Sequence, residues 1–430
     1  MKTLVLFGAS GDLAKEKLFP ALYENYKQGF ECKYIGYGRT DISSVSFKER
    51  ITKSIGLNDI NFLSNFSYLQ GNYSKKDLLK LKNLITPSET IYYLAIPNRL
   101  NIVKDLVLGL KKNLLIEDGS QVVIEQPFGE DLKSAVSLVE FLKAEIGEEK
   151  IYAIDHYLAK DLVRNLITLR FANPIFENLW NNQYIEYIDI DIKEKGGIKN
   201  RGSYYDKTGA IKDMIQNHGL QLLSLITFDQ PQSFNFIDFH KEKESVLKNI
   251  RIFNNDFDKN MEIGQYKGYK EEESVNKKST TETFVKIKVE VNNNRWKGVP
   301  ISITTGKKLD SKETSIKIYF KPFNNCLWGK KCDLVTRNIL TVNIFPQNNI
   351  TLSINTEFKP NLELPKTKEL EFDLSKDKDL TPPYSNALQD IYNKDKSYIP
   401  SFDEILQSWR FVDLVEDWLV DKRDKILKYY

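Results

Sequence analysis

The chain has 430 residues, too many for one ordinary core, and its 41% hydrophobic and 28% charged content is that of a globular protein. A near balance of 62 basic and 59 acidic residues, a formal charge of +3, speaks against a nucleic-acid stripe or a membrane-surface patch. No apolar run approaches the length that crosses a bilayer.

The first 150 or so residues alternate strand and helix patterns. Leu4–Phe7 reads as a buried first strand rather than a signal peptide, because it is short and runs straight into glycines and Asp12. Helical spacing of Leu18, Leu22 and Tyr26 follows. Tyr34–Gly36, Phe66–Leu69, Ile91–Ile96 and Val122–Ile124 are the next apolar strands. Such alternation predicts a parallel Rossmann-type sheet covered on both faces, placed over residues 1–154. From residue 155 to 430 the texture is α+β. Tyr184–Ile192, Phe284–Val291, Thr314–Phe320, Ile339–Phe345 and Ile350–Ile354 alternate, which predicts a large antiparallel sheet with helices on one face. Asp213–Ile226 and Phe402–Trp418 have helical periodicity, and Asn254–Ser279 reads as a polar surface excursion. Cys32, Cys326 and Cys332 are sparse and odd in number. They read as ordinary thiols, the last two without histidines that would suggest a metal, and they point to a reducing cytoplasm.

Directly after the first strand comes Gly8-Ala9-Ser10-Gly11-Asp12-Leu13-Ala14. Small residues let the backbone turn tightly and approach a pyrophosphate, and a helix N-terminus supplies N–H groups and positive potential. Taken alone, a plain strand-to-helix turn reads the same way. The end of the second strand adds weight. It carries Arg39 and Thr40 where an NAD site usually places Asp or Glu, so a 2′-phosphate has a cation and NADP is favoured. Asp41 comes after the basic residue.

Two of the three histidines sit in polar clusters. The first is Asp155-His156-Tyr157-Leu158-Ala159-Lys160. A helix starting near Asp155 would put His156 and Lys160 on one face, as a cradle for a phosphate dianion; a surface helix with an incidental histidine fits the same letters. The second runs from Arg201-Gly202-Ser203-Tyr204-Tyr205-Asp206 through Asp213 to Gln216-Asn217-His218. An imidazole titrates near neutral pH and suits a general base beside a hydroxylated substrate, although a satisfied core histidine would look alike.

Together these segments resemble the signatures of glucose-6-phosphate dehydrogenases. The resemblance covers most of the chain and takes in, in the family's order, Gly8–Ala14, Glu125-Gln126-Pro127-Phe128-Gly129, Asp155–Lys160, Arg201–His218, Arg295-Trp296-Lys297-Gly298-Val299-Pro300 and Thr305-Gly306-Lys307. It implies an NADP-dependent oxidoreductase that oxidises the C1 hydroxyl of glucose 6-phosphate to a lactone, the first step of the oxidative pentose phosphate pathway. His218 would be the base, with Asp155 fixing its tautomer. His156, Tyr157, Lys160 and Lys307, with Lys312, would hold the phosphate. Glu194 and Asp213 would accept hydrogen bonds from sugar hydroxyls. Gly8, Ser10, Gly11, Asp12, Leu13, Arg39, Thr40 and Gln126 would line the cofactor. No metal, nucleic acid or membrane is implied, and the large sheet would mediate a cytoplasmic homodimer or homotetramer.

The sequence departs from the pattern in two places. Gln126 stands where the family usually has lysine, and Thr341–Pro346 lacks the Arg and Gln that many relatives carry before that proline. Gln126 keeps open a non-catalytic NADP-binding relative. A dehydrogenase acting on another sugar is the other alternative. Trp296 and Trp409 read as packing aromatics, and His240 has no role assigned.

Overall fold

The computed structural model describes residues 1–96, 100–322, 327–357, 364–374 and 381–430. They form two compact units. One comprises Met1–Lys160, Phe234–His240 and Thr381–Trp409; the other comprises Asp161–Ser233, Lys241–Leu380 and Arg410–Tyr430.

The first unit is built on six strands: β1 (Thr3–Phe7), β2 (Lys33–Gly38), β3 (Phe66–Gln70), β4 (Thr90–Leu94), β5 (Gln121–Glu125) and β6 (Ile151–Ile154). All pair in parallel, in the order β3-β2-β1-β4-β5-β6, the doubly wound arrangement expected of the apolar runs. Residues of both parities along β1 are buried, so both faces of the sheet are covered. Local signals place the flanking helices. Ser43 accepts from Ser46 N to start Ser44–Ile55, Gly56 ends it at φ 71°, and Asp131 makes a capping box at Leu132–Ile146. One face packs Leu4, Leu18, Phe19, Leu22 and Phe47 with Leu388 and Ile391, which come from the distant helix Pro383–Asn393. Asn25 Nδ2 donates to Ser385 O (3.1 Å), and Gln121 Nε2 donates to Ile391 O. Burying each of those aliphatic side chains contributes about 1.5–3 kcal/mol.

The second unit carries β7 (Ile185–Lys193), β8 (Ile250–Ile252), β9 (Met261–Gln265), β10 (Phe284–Val291), β11 (Ile301–Gly306), β12 (Glu313–Phe320), β13 (Ile339–Phe345), β14 (Asn349–Glu357), β15 (Lys366–Asp373) and β16 (Lys428–Tyr429). Among the described residues the sheet runs β15-β14-β13-β12-β7-β11-β10-β9-β16, with β8 on β10. It is largely antiparallel, as the alternation predicted; β7–β11 and β9–β16 are parallel pairs. The long crossover between β7 and β11 is what permits a parallel neighbour there. Along β7, Ile188, Ile190 and Ile192 point into the core while Tyr187, Asp189 and Asp191 face outward.

Two local expectations are corrected. Asn254–Ser279 is not only a surface excursion: β9 lies inside it, and Ile263, Tyr266 and Tyr269 are buried. Its polar composition hid apolar anchors spaced among lysines and glutamates. Cys332 is disulfide-bonded rather than an ordinary thiol, whereas Cys32 is free and buried. Spacing alone does not reveal whether a second sulfur lies within bonding geometry. Cys326 lies outside the described residues.

Candidate active site

At the end of β1 the chain turns sharply. Gly8 sits at φ 81°, where a Cβ would lie 2.2 Å from Ala95 O, and Gly11 N donates to Gly8 O (2.9 Å). Only glycine fits both the left-handed backbone and the close approach. Helix follows from residue 12, with Asp12 exposed and Leu13 packed on the core. Ser10 Oγ and Thr40 Oγ1 are 2.9 Å apart, which ties this turn to the end of β2. Arg39 is exposed there, and Tyr68 OH donates to Thr40 O (2.8 Å). Burial raises the Tyr73 phenol, and the Arg39 charge opposes that rise. A bare turn, a helix start and a cation at the second strand's end fit a dinucleotide carrying a 2′-phosphate.

The Asp155–Lys160 segment follows β6. It is a turn and not the first turn of a helix as the spacing suggested; the helix is Asp161–Phe171. The Asp155 carboxylate accepts from Tyr157 N (2.8 Å), a local bond that holds the backbone out of helical conformation. His156 stacks on Tyr384 (5.9 Å, 10°) and meets Tyr157 edge-on (4.8 Å), while Lys160 Nζ lies 3.9 Å over the Tyr157 ring. Glu125, at the end of β5, accepts from Tyr93 OH (2.5 Å) and Tyr384 OH (3.5 Å). Burial pushes its carboxyl up to about 7; the two phenol bonds counter that shift and nearby Asp155 adds to it. Next to it Gln126 has a buried Nε2 without a hydrogen-bond partner among the described residues.

In the second unit, Asp213 and His218 share the π-helical stretch Ile211–Gly219. Gly209, at φ 63° and ψ −178°, breaks the preceding helix Gly202–Ala210. Glu282 receives the new start: Ile211 N donates to its Oε1 (3.1 Å), and Arg423 pairs with its other oxygen. Gly219 lies against Ile303 of β11, which fixes the stretch on the apolar face of the sheet. Asp213 collects Lys307 (3.4 Å), Arg201 (3.6 Å) and Tyr204 OH (3.4 Å), and Glu194 also pairs with Lys307. His218 is buried, and Asn217 Oδ1 accepts from its backbone N (2.6 Å). Glu194, Asp213 and Lys307 therefore form one group. Lys312 makes none of these contacts, and its Nζ lies over the Phe345 ring (4.7 Å).

Sequence reading missed Glu125 as a titrating group, the Tyr93 and Tyr384 phenols upon it, and Glu282 as the support of the His218 helix. Only the position of Glu125 inside a motif could have drawn attention to it. The Arg295–Pro300 motif is a scaffold: Trp296 is fully buried with Nε1 donating to Thr227 O (2.6 Å), and Arg295 binds Trp180 O (2.6 Å) and Asp229 (3.1 Å). Trp409 is likewise buried and donates to Phe128 O (2.7 Å).

The family model described as "Glucose-6-phosphate dehydrogenase, NAD binding domain" matches residues 5–165, and that described as "Glucose-6-phosphate dehydrogenase, C-terminal domain" matches residues 167–430. The chain is 36% identical to glucose-6-phosphate 1-dehydrogenase of Borreliella burgdorferi over 96% of its own length and 91% of that protein. Its fold superposes on the crystal structure of the Mycobacterium avium glucose-6-phosphate 1-dehydrogenase with a TM-score of 0.88 at 30% identity, covering all of this chain and 93% of that one. A second solved structure, a glucose-6-phosphate dehydrogenase in complex with its substrate glucose-6-phosphate, gives a TM-score of 0.89 at 33% identity, again over all of this chain and 93% of that one. On these matches the chain belongs to the glucose-6-phosphate dehydrogenase family.

Proposed function

We propose that this chain oxidises glucose 6-phosphate at C1 to 6-phosphogluconolactone with NADP as acceptor, opening the oxidative pentose phosphate pathway. The observation that carries this is family membership across both halves of the chain together with the intact Asp155–Lys160 and Gln216–His218 motifs. The bound NADP would accept the hydride from C1. His218 takes the proton of the C1 hydroxyl, and Asp155 holds the imidazole in the right tautomer and stabilises the imidazolium. His156, Tyr157, Lys160 and Lys307 bind the phosphate; Lys312 is assigned to it by resemblance alone. Glu194 and Asp213 accept from sugar hydroxyls, and their shared contact with Lys307 sets their positions. Gly8, Ser10, Gly11, Asp12, Leu13, Arg39, Thr40 and Gln126 hold the cofactor. The cofactor part is assigned to residues 1–154 and the substrate part to residues 155–430.

Among the described residues no helix is long and apolar enough to cross a membrane. The same reading makes the protein a cytoplasmic homodimer or homotetramer, on family resemblance and not on its cysteines. The test follows NADPH formation spectrophotometrically with glucose 6-phosphate against glucose, and NADP against NAD. His218→Asn should retain substrate binding and lower kcat by roughly 10²–10⁴. Near-normal turnover in a folded His218→Asn protein would remove His218 from the mechanism.

A further inference from the structure

A cavity of about 700 Å³ lies in the first unit where β5 and β6 begin, at the end of the sheet opposite the one that carries Gly8–Ala14. Its volume falls within the roughly 300–1,000 Å³ typical of small-molecule sites. Tyr152, Phe236 and Phe402 give it aromatic walls, and Lys394 and Lys396 bring two ammonium groups to it.

The three carboxylates of this cavity, Asp118, Glu148 and Glu149, formally balance Lys150, Lys394 and Lys396, but their ion pairs are made with Lys150 and with Lys143. Lys150 occupies Asp118 (3.2 Å) and Glu149 (2.8 Å), and Lys143 occupies Glu148 (2.7 Å). His240 Nδ1 is 2.6 Å from Glu404 Oε1. Asp395 accepts from Ser397 N (2.9 Å) and Oγ (2.7 Å). Among the described residues no carboxylate pairs with Lys394 or Lys396. Lys396 Nζ donates to Glu148 O (2.9 Å) and lies 4.8 Å over the Tyr152 ring. Burial pulls its ammonium down to about 8 even against the charges of Glu148 and Glu149, which raise it, and an anion in direct contact would offset that burial further.

We propose that this cavity binds a small aromatic anion, its phosphate or carboxylate held by Lys394 and Lys396 and its ring packed among Tyr152, Phe236 and Phe402, and that occupation is transmitted to the Asp155–Lys160 turn. Two elements connect the places. From Tyr152 in the cavity wall, strand β6 leads to Asp155 just past its end, three residues or roughly 10 Å at strand rise. The helix Pro383–Asn393 carries Tyr384, against Glu125 and His156, at its first turn and delivers Lys394 from its last.

Phenyl phosphate serves as probe, titrated calorimetrically into wild type, Lys394→Met/Lys396→Met and Lys160→Met. Saturable binding, one per chain, is expected in wild type and in Lys160→Met, and it should weaken about tenfold or more in the double variant, the loss of a charge-assisted hydrogen bond. Phenol and inorganic phosphate should each bind more weakly than phenyl phosphate. The site is overturned if a folded double variant binds like wild type, if binding is lost instead in Lys160→Met, or if wild type shows no saturable binding. In steady-state assays, saturating phenyl phosphate should alter kcat in wild type and leave the double variant unchanged. Unaltered wild-type kinetics at saturation would overturn the transmission.

Discussion

Replacing Gln126 by lysine tests how this chain manages without the family's usual cation. The Gln126 backbone is anchored, with its N donating to Ile154 O at 3.3 Å, and its Nε2 is buried without a partner among the described residues. An unsatisfied buried donor costs about 1–3 kcal/mol, so that amide is poised to bond a ligand oxygen. A neutral hydrogen bond contributes about 0.5–1.5 kcal/mol and one to a charged group about 1.5–3 kcal/mol. The difference of about 1–1.5 kcal/mol corresponds to roughly tenfold, and a full charge-assisted bond gained anew would reach ~100-fold. Gln126→Lys should therefore raise kcat/KM for glucose 6-phosphate by roughly tenfold and up to ~100-fold, measured by steady-state NADPH formation. An unchanged or lower efficiency in a folded variant would refute this, and would mean that the pocket is rebuilt around a neutral residue in which a lysine is buried without a partner. Turnover by neither protein would favour the non-catalytic reading.

Arg39→Ala should weaken NADP by about 1–3 kcal/mol, roughly 5- to 150-fold in affinity, while NAD changes little; a wild type that already uses NAD more efficiently than NADP contradicts the argument. Gly209→Ala places a Cβ 2.2 Å from Glu282 Oε1 at a backbone conformation reserved for glycine. It should cost about 1–3 kcal/mol of stability and lower kcat by displacing the support of the His218 helix, and an unchanged Tm with unchanged kcat would show that Glu282 does not hold that helix.

Much of the first unit was legible because β1, β2, β4 and β5 are buried on both faces and so read as short apolar runs. The residue types of both histidine clusters were legible as well. What escaped was whatever depends on distant partners. Ile151–Ile154 is too short to stand out, and β9 is masked by its charged neighbours. The Asp155–Lys160 letters have helical spacing, yet one carboxylate-to-backbone bond sets a turn. Glu125 and Tyr384 are 259 residues apart, so no local pattern could join them. In the second unit, Glu194, Asp213 and Lys307 were each named by the family resemblance, but their meeting at one ion pair network is a product of β7, β11 and the π-helical stretch.

The borrowed helix of the first unit has a consequence for how the protein is made. Residues 1–160 leave the ribosome first, but Leu388 and Ile391, which close their core, follow almost 230 residues later. At about 5–20 residues per second, translation takes roughly 10–45 seconds to cross that gap. Throughout it, the helical segment that carries Leu18 and Leu22 presents their apolar side chains to solvent without their native cover. Chaperone capture should concentrate in that interval, and a chain halted before Pro383 should aggregate even though all six strands of its sheet have been synthesised.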